Sequence, residues 1–257
     1  MVFNAARSLA AELPAGDLLD LGTVDNTPLA DYIGGAKMVW NSGTSVSVTS
    51  GAMYIQSLAK VVAFPSTLTL SSLSLAASTW YHLYGYLNSG TPAIELSTTA
   101  PAAAYSGFAR SKTGDTSRRY LGSIKTDSGN SITNFSQIQN KVCYYIDVAG
   151  GTTPARILLA GVATSYTNVS ASILAPITSK IAQFKFQNLD TMAAARISNS
   201  DASLTLPAGL FSMPSNNNAP IFAEVPMDGA QNIQYGMAST PSGAGLYIDI
   251  VGYTYER

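Results

Sequence analysis

Hydrophobic and polar residues alternate at a two-residue period along most of the chain. The clearest run is "WYHLYGYL" at 80–87, where the side chains at even positions project to one side and those at odd positions to the other. Turn residues follow at 88–90, and a second alternating run at 93–98 completes a hairpin with a loop of several residues around Gly90. Aromatic residues favour a pleated, half-buried surface, so the pattern predicts antiparallel sheet.

Short runs of this kind, separated by Gly, Ser and Asn, recur along the whole chain. No helix of about 10–15 residues alternates with them, which disfavours a parallel α/β sheet. In the last run, Tyr253 and Tyr255 are expected on the face opposite Leu246 and Ile248. The predicted fold is all-β, with two antiparallel β-sandwich domains of jelly-roll-like type. The predicted strands are 37–40, 44–48, 53–55, 60–64, 68–70, 80–87, 93–98, 119–126, 132–137, 142–148, 156–159, 161–164, 170–173, 180–187, 194–198, 204–206, 221–225, 233–237 and 246–255.

The first 35 residues break this pattern. Residues 2–13 carry apolar side chains at helical spacing and end at Pro14, which predicts one short helix. An extended arm then leads to Gly35, and it docks either on a neighbouring subunit or on its own domain. With Gly150 and Gly151 as the interruption between sandwiches, the predicted domains are 1–35 (helix and arm), 36–149 and 150–257.

Composition narrows the classes of function. Charged residues make up 11% of the chain, against roughly 25% in average proteins. The net charge of −1 provides no basic field for nucleic acid and no polybasic segment for a membrane surface. No apolar run is long enough to span a bilayer, and the N-terminus lacks signal-peptide features, so we expect no membrane insertion and no secretion signal.

Candidate catalytic residues are few. A Ser-His-Asp triad would have to use His82, the only histidine, and no G-x-S-x-G motif is present. Glycan cleavage needs two carboxylates, and no spacing among the four glutamates indicates such a pair. The single cysteine excludes an intrachain disulfide and a cysteine-based zinc site. We therefore expect a protein that is not an enzyme and that has no metal and no cofactor.

Binding is easier to support from these residue types. Carbohydrate recognition uses flat aromatic faces together with polar side chains on loops. The same tyrosines also suit a subunit interface, where tyrosine is enriched, and the basic residues near 110–119 suit a solvated loop, an inter-subunit ion pair, or a phosphate or sugar-acid site. The candidate aromatic residues for a glycan or an interface are Trp80, Tyr84, Tyr86, Tyr105, Tyr253 and Tyr255. The candidate loop contacts are Arg118, Arg119, Asn216, Asn217 and Asn218.

Three segments within 73–130 carry a resemblance: "TWYHLY", "STTAPAAAY" and "ARSKTGDTSRRYLGS". This region resembles a module of tailed-bacteriophage virion proteins, chiefly tail-fibre and receptor-binding proteins. The resemblance implies a β-rich, homotrimeric particle component with no chemistry of its own. It also implies a virion protein that is assembled in the host cytoplasm, with other virion proteins and a host cell-surface glycan as partners.

One departure from that family bears on the role. The chain lacks the long coiled-coil or collagen-like shaft of an extended fibre, which favours a compact component. The expected function is a compact trimeric tail-fibre or receptor-binding component that attaches to the host cell surface. The alternative is a capsid decoration (head fibre) or tail adaptor protein with no receptor role.

Overall fold

The computed structural model describes residues 17–19, 29–145, 155–201 and 204–257. The helix predicted at 2–13 and the interruption predicted at Gly150 and Gly151 lie outside these ranges. The chain divides into two compact units. Unit 1 comprises residues 1–132 together with Arg257, and unit 2 comprises residues 133–256.

Every strand pairing in the described residues is antiparallel, which confirms the all-β prediction. The 3₁₀ turn Gln56–Leu58 lies between β5 and β6 in unit 1. In unit 1 the strands are β1 Asp17–Leu19, β2 Ile33–Gly35, β3 Met38–Ser42, β4 Ser45–Val48, β5 Gly51–Ile55, β6 Lys60–Phe64, β7 Leu68–Leu70, β8 Trp80–Asn88, β9 Thr91–Ser97, β10 Ser111–Lys112 and β11 Asp115–Lys125. In unit 2 they are β12 Phe135–Ile138, β13 Lys141–Tyr144, β14 Arg156–Gly161, β15 Thr167–Ser170, β16 Ser179–Asn188, β17 Ala195–Asn199, β18 Phe211–Met213, β19 Asn217–Pro226, β20 Asn232–Met237 and β21 Leu246–Tyr255.

Most predicted strands overlap an observed one over several residues, and three do not. The runs 161–164 and 170–173 only touch the ends of β14 and β15, at Gly161 and Ser170, and 204–206 forms a turn in which the Ala208 N–H donates to the Thr205 carbonyl. Pro207 lies inside that turn and has no N–H to offer a neighbouring strand. The predicted hairpin β8–β9 is present, but its loop is only Ser89 and Gly90, both with positive φ.

Three sheets build unit 1. Their strand orders are β10-β11-β8-β9, β1-β6-β5-β2 and β3-β4-β7. Leu83 and Leu121 on one face of the first sheet are fully buried. Gly85 has no side chain, and Met53 of β5 packs against it. A Cβ on Gly85 would come within 2.4 Å of the Met53 sulfur, so glycine allows the two sheets to approach closely.

The described parts of the predicted arm belong to a sheet of their own unit. Strand β1 pairs with β6, and β2 pairs with β5, so both form edge strands around a central pair. Leu29 and Ala30 pack with Tyr54 and Val61 in a small apolar cluster. Of the two arrangements that the sequence left open, the described residues 17–19 and 29–35 show packing on the arm's own domain.

Two sheets form unit 2, and their apolar faces meet in a sandwich-like arrangement. One sheet has the order β12-β13-β21-β16-β19, with β14 also paired to β21, and the other has the order β15-β20-β17-β18. Phe184, Phe186 and Ile248 of the larger sheet are fully buried, as is Ile197 of the smaller one. Phe186 and Phe211 bridge the two sheets with ring centroids 5.2 Å apart. Strands β12 and β13 thus pair within unit 2, whereas the sequence grouped them with the first sandwich.

A bulge in β21 overturns the predicted alternation of the last strand. Gln183 lies opposite Gly252, but its neighbour Phe184 lies opposite Ile250, so Val251 is an extra residue. The bulge moves the following side chains to the other face. Tyr253 and Tyr255 therefore join Leu246, Ile248 and Ile250 in the core, contrary to the expectation that they oppose them. The Tyr253 ring centroid lies 6.0 Å from that of Tyr144 and 5.8 Å from that of Tyr255.

Candidate functional site

Charged and aromatic side chains converge on one exposed part of the β10-β11-β8-β9 sheet. We call the set Glu95, Lys112, Asp115, Arg118 and Tyr86 the Glu95 cluster. Strand β9 places Glu95 directly opposite Tyr84 of β8. The two-residue turn at 113–114, in which the glycine has a φ of +80°, sets Lys112 opposite Asp115. Two local hairpins therefore bring these residues together.

Glu95 joins the two cations of the cluster. Its Oε1 accepts from Lys112 Nζ at 2.9 Å, and its Oε2 accepts from Arg118 Nε at 3.1 Å. Asp115 Oδ2 lies 3.8 Å from Arg118 Nη1, and Asp115 Oδ1 accepts hydrogen bonds from the amide and the hydroxyl of Ser117. The Ser117 hydrogen bonds hold the pKa of Asp115 below its usual value, so this carboxylate is ionised at neutral pH.

Tyr86 supports Arg118 rather than offering an open ring. The guanidinium carbon lies 3.9 Å from the ring centroid, which is close cation–π stacking. A sugar ring would therefore have to displace Arg118 to stack on that face. Trp80, at the other end of β8, has Lys125 Nζ 5.3 Å from its ring. Trp80 and Tyr86, which are both half-buried, are thus already covered by a cation on one face.

The middle of the same sheet face is closed and polar. His82 Nδ1 and Ser123 Oγ are 2.8 Å apart, and the Tyr120 hydroxyl is 2.8 Å from the same Ser123 oxygen. All three residues are buried, and desolvation lowers the pKa of His82 to about 4. The imidazole is therefore neutral at pH 7. A serine and a histidine do meet here, but inside the sheet, where the hydroxyl is closed off from solvent.

Tyr84 and Arg119 also belong to the interior of unit 1. Tyr84 is fully buried and donates to the Thr99 carbonyl at 2.7 Å, and burial raises the pKa of its phenol, helped by Tyr120 and Glu95. Arg119 donates to the Tyr105 hydroxyl at 2.9 Å and to the Asp31 carbonyl at 3.1 Å. Its burial lowers the pKa of the guanidinium. Of the two arginine candidates, only Arg118 is on the surface.

The remaining candidates lie in unit 2. Tyr253 and Tyr255 are core residues, as the bulge in β21 dictates. Asn216 is exposed in a turn with positive φ, and Asn217 and Asn218 begin strand β19. The structure therefore brings together two pairs of predicted residues in unit 1, Tyr86 with Arg118 at the surface and Tyr105 with Arg119 in the interior. To the surface pair it adds Glu95 and Lys112, which the sequence did not name as contacts. The alternation of β9 was the available signal for Glu95.

Unit 2 contains a second arrangement with the same chemistry. Asp249 of β21 binds Arg156 of β14 through a short hydrogen bond, and Lys185 Nζ lies 3.7 Å from its other oxygen. The Arg156 guanidinium lies 5.0 Å from the Tyr247 ring centroid. We call these four residues the Asp249 cluster. Here too a carboxylate holds one lysine and one arginine, and the arginine lies over a tyrosine.

The two clusters differ in exposure. The side chains of Glu95, Lys112 and Arg118 are 25%, 23% and 24% exposed, whereas Asp249 is 6% exposed. Solvent and ligands thus reach the Glu95 cluster but scarcely reach the carboxylate of the Asp249 cluster. Within the described ranges, no three His, Cys, Asp or Glu side chains are arranged to hold a metal, and no helix is long and apolar enough to cross a bilayer.

Comparison with known proteins adds no family to this description. No family model matches the chain, and no curated protein matches it.

Proposed function

We propose that this chain is a structural component of a tailed-phage particle that contacts the host cell surface through the Glu95 cluster. The observation that carries the proposal is the partly exposed convergence of Glu95, Lys112 and Arg118 in the region that resembles receptor-binding modules. Arginine, lysine and carboxylate side chains on a rigid sheet supply the donors and acceptors that polar cell-surface ligands require. The proposal includes no catalytic step, because the serine–histidine pair is buried.

The finer architecture belongs to the same proposal. We infer two sandwich domains of jelly-roll-like type that assemble as a homotrimer in the virion, together with other particle proteins. Large apolar side chains that remain exposed support self-association, since such groups cluster at subunit contacts. Among the described residues, four of them lie in unit 1 (Tyr32, Val39, Leu58 and Phe108). Ten lie in unit 2, namely Ile138, Tyr145, Leu159, Val162, Ile173, Ile177, Met192, Leu204, Leu210 and Phe222.

The larger number of exposed apolar side chains in unit 2 favours the second candidate function. A capsid decoration or tail adaptor protein needs an apolar surface for the particle lattice and needs no receptor site. The two functions differ in which unit carries the essential contact. Receptor binding requires the Glu95 cluster of unit 1, whereas decoration requires only the apolar residues of unit 2.

The test combines localisation with adsorption. Gold-labelled antibody against this chain should mark the tail end of intact particles in electron micrographs, and the purified protein should adsorb to the bacteria that those particles infect. Label over the head with no adsorption would make the chain a decoration protein. Particles without any label would refute the virion proposal itself. Light scattering after gel filtration should give the mass of a trimer at micromolar concentration, and a monomer would refute that part.

A further inference from the structure

We propose that the Glu95 cluster binds one uronate unit of an acidic polysaccharide, with the sugar carboxylate held between Lys112 and Arg118. This inference rests on the proposed function, because it names the ligand class that the cell-surface contact would recognise. Three properties of the Glu95 cluster support it: hydrogen-bond donors that are not used, a net charge of zero and a fixed position of the arginine.

Both cations keep unused donors. Arg118 uses Nε on Glu95 and Nη1 on Ser117, and within the described part of the chain its remaining nitrogen, Nη2, has no hydrogen-bond partner. Lys112 Nζ donates one hydrogen bond, to Glu95, and has three N–H groups. Both cations contact the same carboxylate of Glu95. The proposal therefore places the sugar carboxylate beside Glu95, where it accepts from both.

The charge of the cluster selects a singly charged ligand. Lys112 and Arg118 balance Glu95 and Asp115, so the four side chains sum to zero. A phosphate monoester carries about −1.5 to −2 charges at neutral pH, so the two carboxylates repel it more strongly than they repel a singly charged ligand. A uronate carries one negative charge, and its hydroxyl groups donate hydrogen bonds. Glu95 and Asp115 are acceptors for those hydroxyls, so the carboxylates favour a sugar acid over a phosphate.

The geometry of Arg118 is fixed before any ligand arrives. Tyr86 stacks under the guanidinium at 3.9 Å, while Glu95 and Ser117 hold two of its three nitrogens. Such preorganisation reduces the side-chain entropy that binding would otherwise cost. The planar guanidinium matches the plane of a carboxylate, which a lysine in its place does not.

The test measures binding of the full chain to immobilised polygalacturonate at about 0.15 M salt, where long-range charge effects are screened. Dextran, which is neutral, and dextran phosphate, which carries phosphate monoesters, are immobilised alongside as separate surfaces. The variants are Arg118→Ala, Lys112→Ala and Arg118→Lys. Lys141→Ala is the matched control, because it removes one positive charge from an exposed ion pair with Glu224 in unit 2. Tryptophan emission checks the folding of unit 1, which contains both tryptophans.

We expect binding to polygalacturonate, weaker binding to dextran phosphate and none to dextran. Arg118→Ala and Lys112→Ala should each weaken binding at least tenfold, Arg118→Lys should weaken it about threefold to tenfold, and Lys141→Ala should change it less than twofold. An equal loss of binding in Lys141→Ala would mean that net charge alone explains the effect, and it would overturn the proposed site. Tighter binding to dextran phosphate, or unchanged binding by folded Arg118→Ala, would overturn the uronate assignment.

Failure of this inference is distinguishable from failure of the proposed function. If the chain labels the tail and adsorbs to cells, and Arg118→Ala adsorbs equally well, then receptor binding stands and the Glu95 cluster is not its site. If no particle is labelled, the virion proposal falls, whatever the polysaccharide result.

Discussion

The Glu95 and Asp249 clusters use the same four kinds of side chain and differ in where the sheet places them. In unit 1 the carboxylate is a quarter exposed on β9, beside the open hairpin β10–β11. In unit 2 Asp249 lies on β21, a strand that is paired along both of its sides. An ion pair in water contributes little to stability, but breaking a buried pair leaves an uncompensated charge. One arrangement is therefore available for binding, and the other for holding a sheet together.

The largest expected effect is on unit 2. Asp249→Ala leaves Arg156 and Lys185, whose side chains are 13% and 12% exposed, without their shared carboxylate. We expect a loss of about 3–5 kcal/mol in the free energy of unfolding of unit 2. Urea denaturation followed by far-ultraviolet circular dichroism should show an early transition. Tryptophan emission should not follow it, because Trp40 and Trp80 both lie in unit 1. An unchanged midpoint would contradict a structural role for the Asp249 cluster.

A second effect should be confined to unit 1, since it contains the only histidine. The pKa of His82 falls from 6.5 to about 4 on folding, so the unfolded chain binds the proton more tightly. Stability is therefore fully present above about pH 6.5 and is lost as the pH falls towards 4, by about 3 kcal/mol in total. Tryptophan-monitored urea midpoints at pH 7 and pH 4.5 measure this loss. In His82→Gln the loss of stability between pH 7 and pH 4.5 should be smaller by most of those ~3 kcal/mol. An equal loss in this variant would mean that carboxylates cause it.

Gly252 in unit 2 and Gly85 in unit 1 differ in what an added side chain would contact. A Cβ on Gly252 would meet the Val142 carbonyl at 2.5 Å and the Gln183 Oε1 at 2.3 Å, whereas on Gly85 it would meet the flexible end of Met53. Backbone cannot move aside as a thioether can, so we expect Gly252→Ala to cost about 3 kcal/mol and Gly85→Ala about 1 kcal/mol. Thermal unfolding of both variants measures the order. The reverse order would mean that β13 shifts more easily than the Met53 side chain.

The smallest expected effect is that of Glu95→Ala. Its ion pairs with Lys112 and Arg118 are partly solvated, so we expect less than about 1 kcal/mol in the free energy of unfolding. Tryptophan-monitored urea denaturation should place this variant within about 1 kcal/mol of the parent chain, well short of the loss expected for Asp249→Ala. A loss as large as that of Asp249→Ala would erase the distinction between the two clusters.

The sequence predicted the strands wherever the alternation was long enough to read. The runs 60–64, 68–70 and 246–255 match their strands, and the hairpin β8–β9 is where the turn residues indicated. Strands β1, β2, β10 and β18 were not predicted, because each has two or three residues, too few to show a two-residue period; among the described strands of that length only β7 was found from the sequence. Their positions depend on partners that are distant in sequence.

The candidate site was harder to predict, for two physical reasons. A bulge adds one residue and exchanges the faces of everything that follows, which moved Tyr253 and Tyr255 from a presumed surface into the core. Neighbouring residues of one strand also differ in burial. Arg118 and Arg119 are adjacent and chemically identical, yet one lies on Tyr86 at the surface and the other is buried against Tyr105. Local sequence does not encode which face is covered.

The turn between β10 and β11 has a further consequence, for variation and for engineering. A side chain at Gly114 would meet nothing within 4 Å, and the same holds at Gly90 in the β8–β9 turn. Only the positive φ at these two tips restrains their sequence. A peptide or dye grafted at 113–114 would thus stand beside Lys112 without entering the sheet. The turn offers a position where the sequence could be diversified by display selection while the sheet beneath it stays constant.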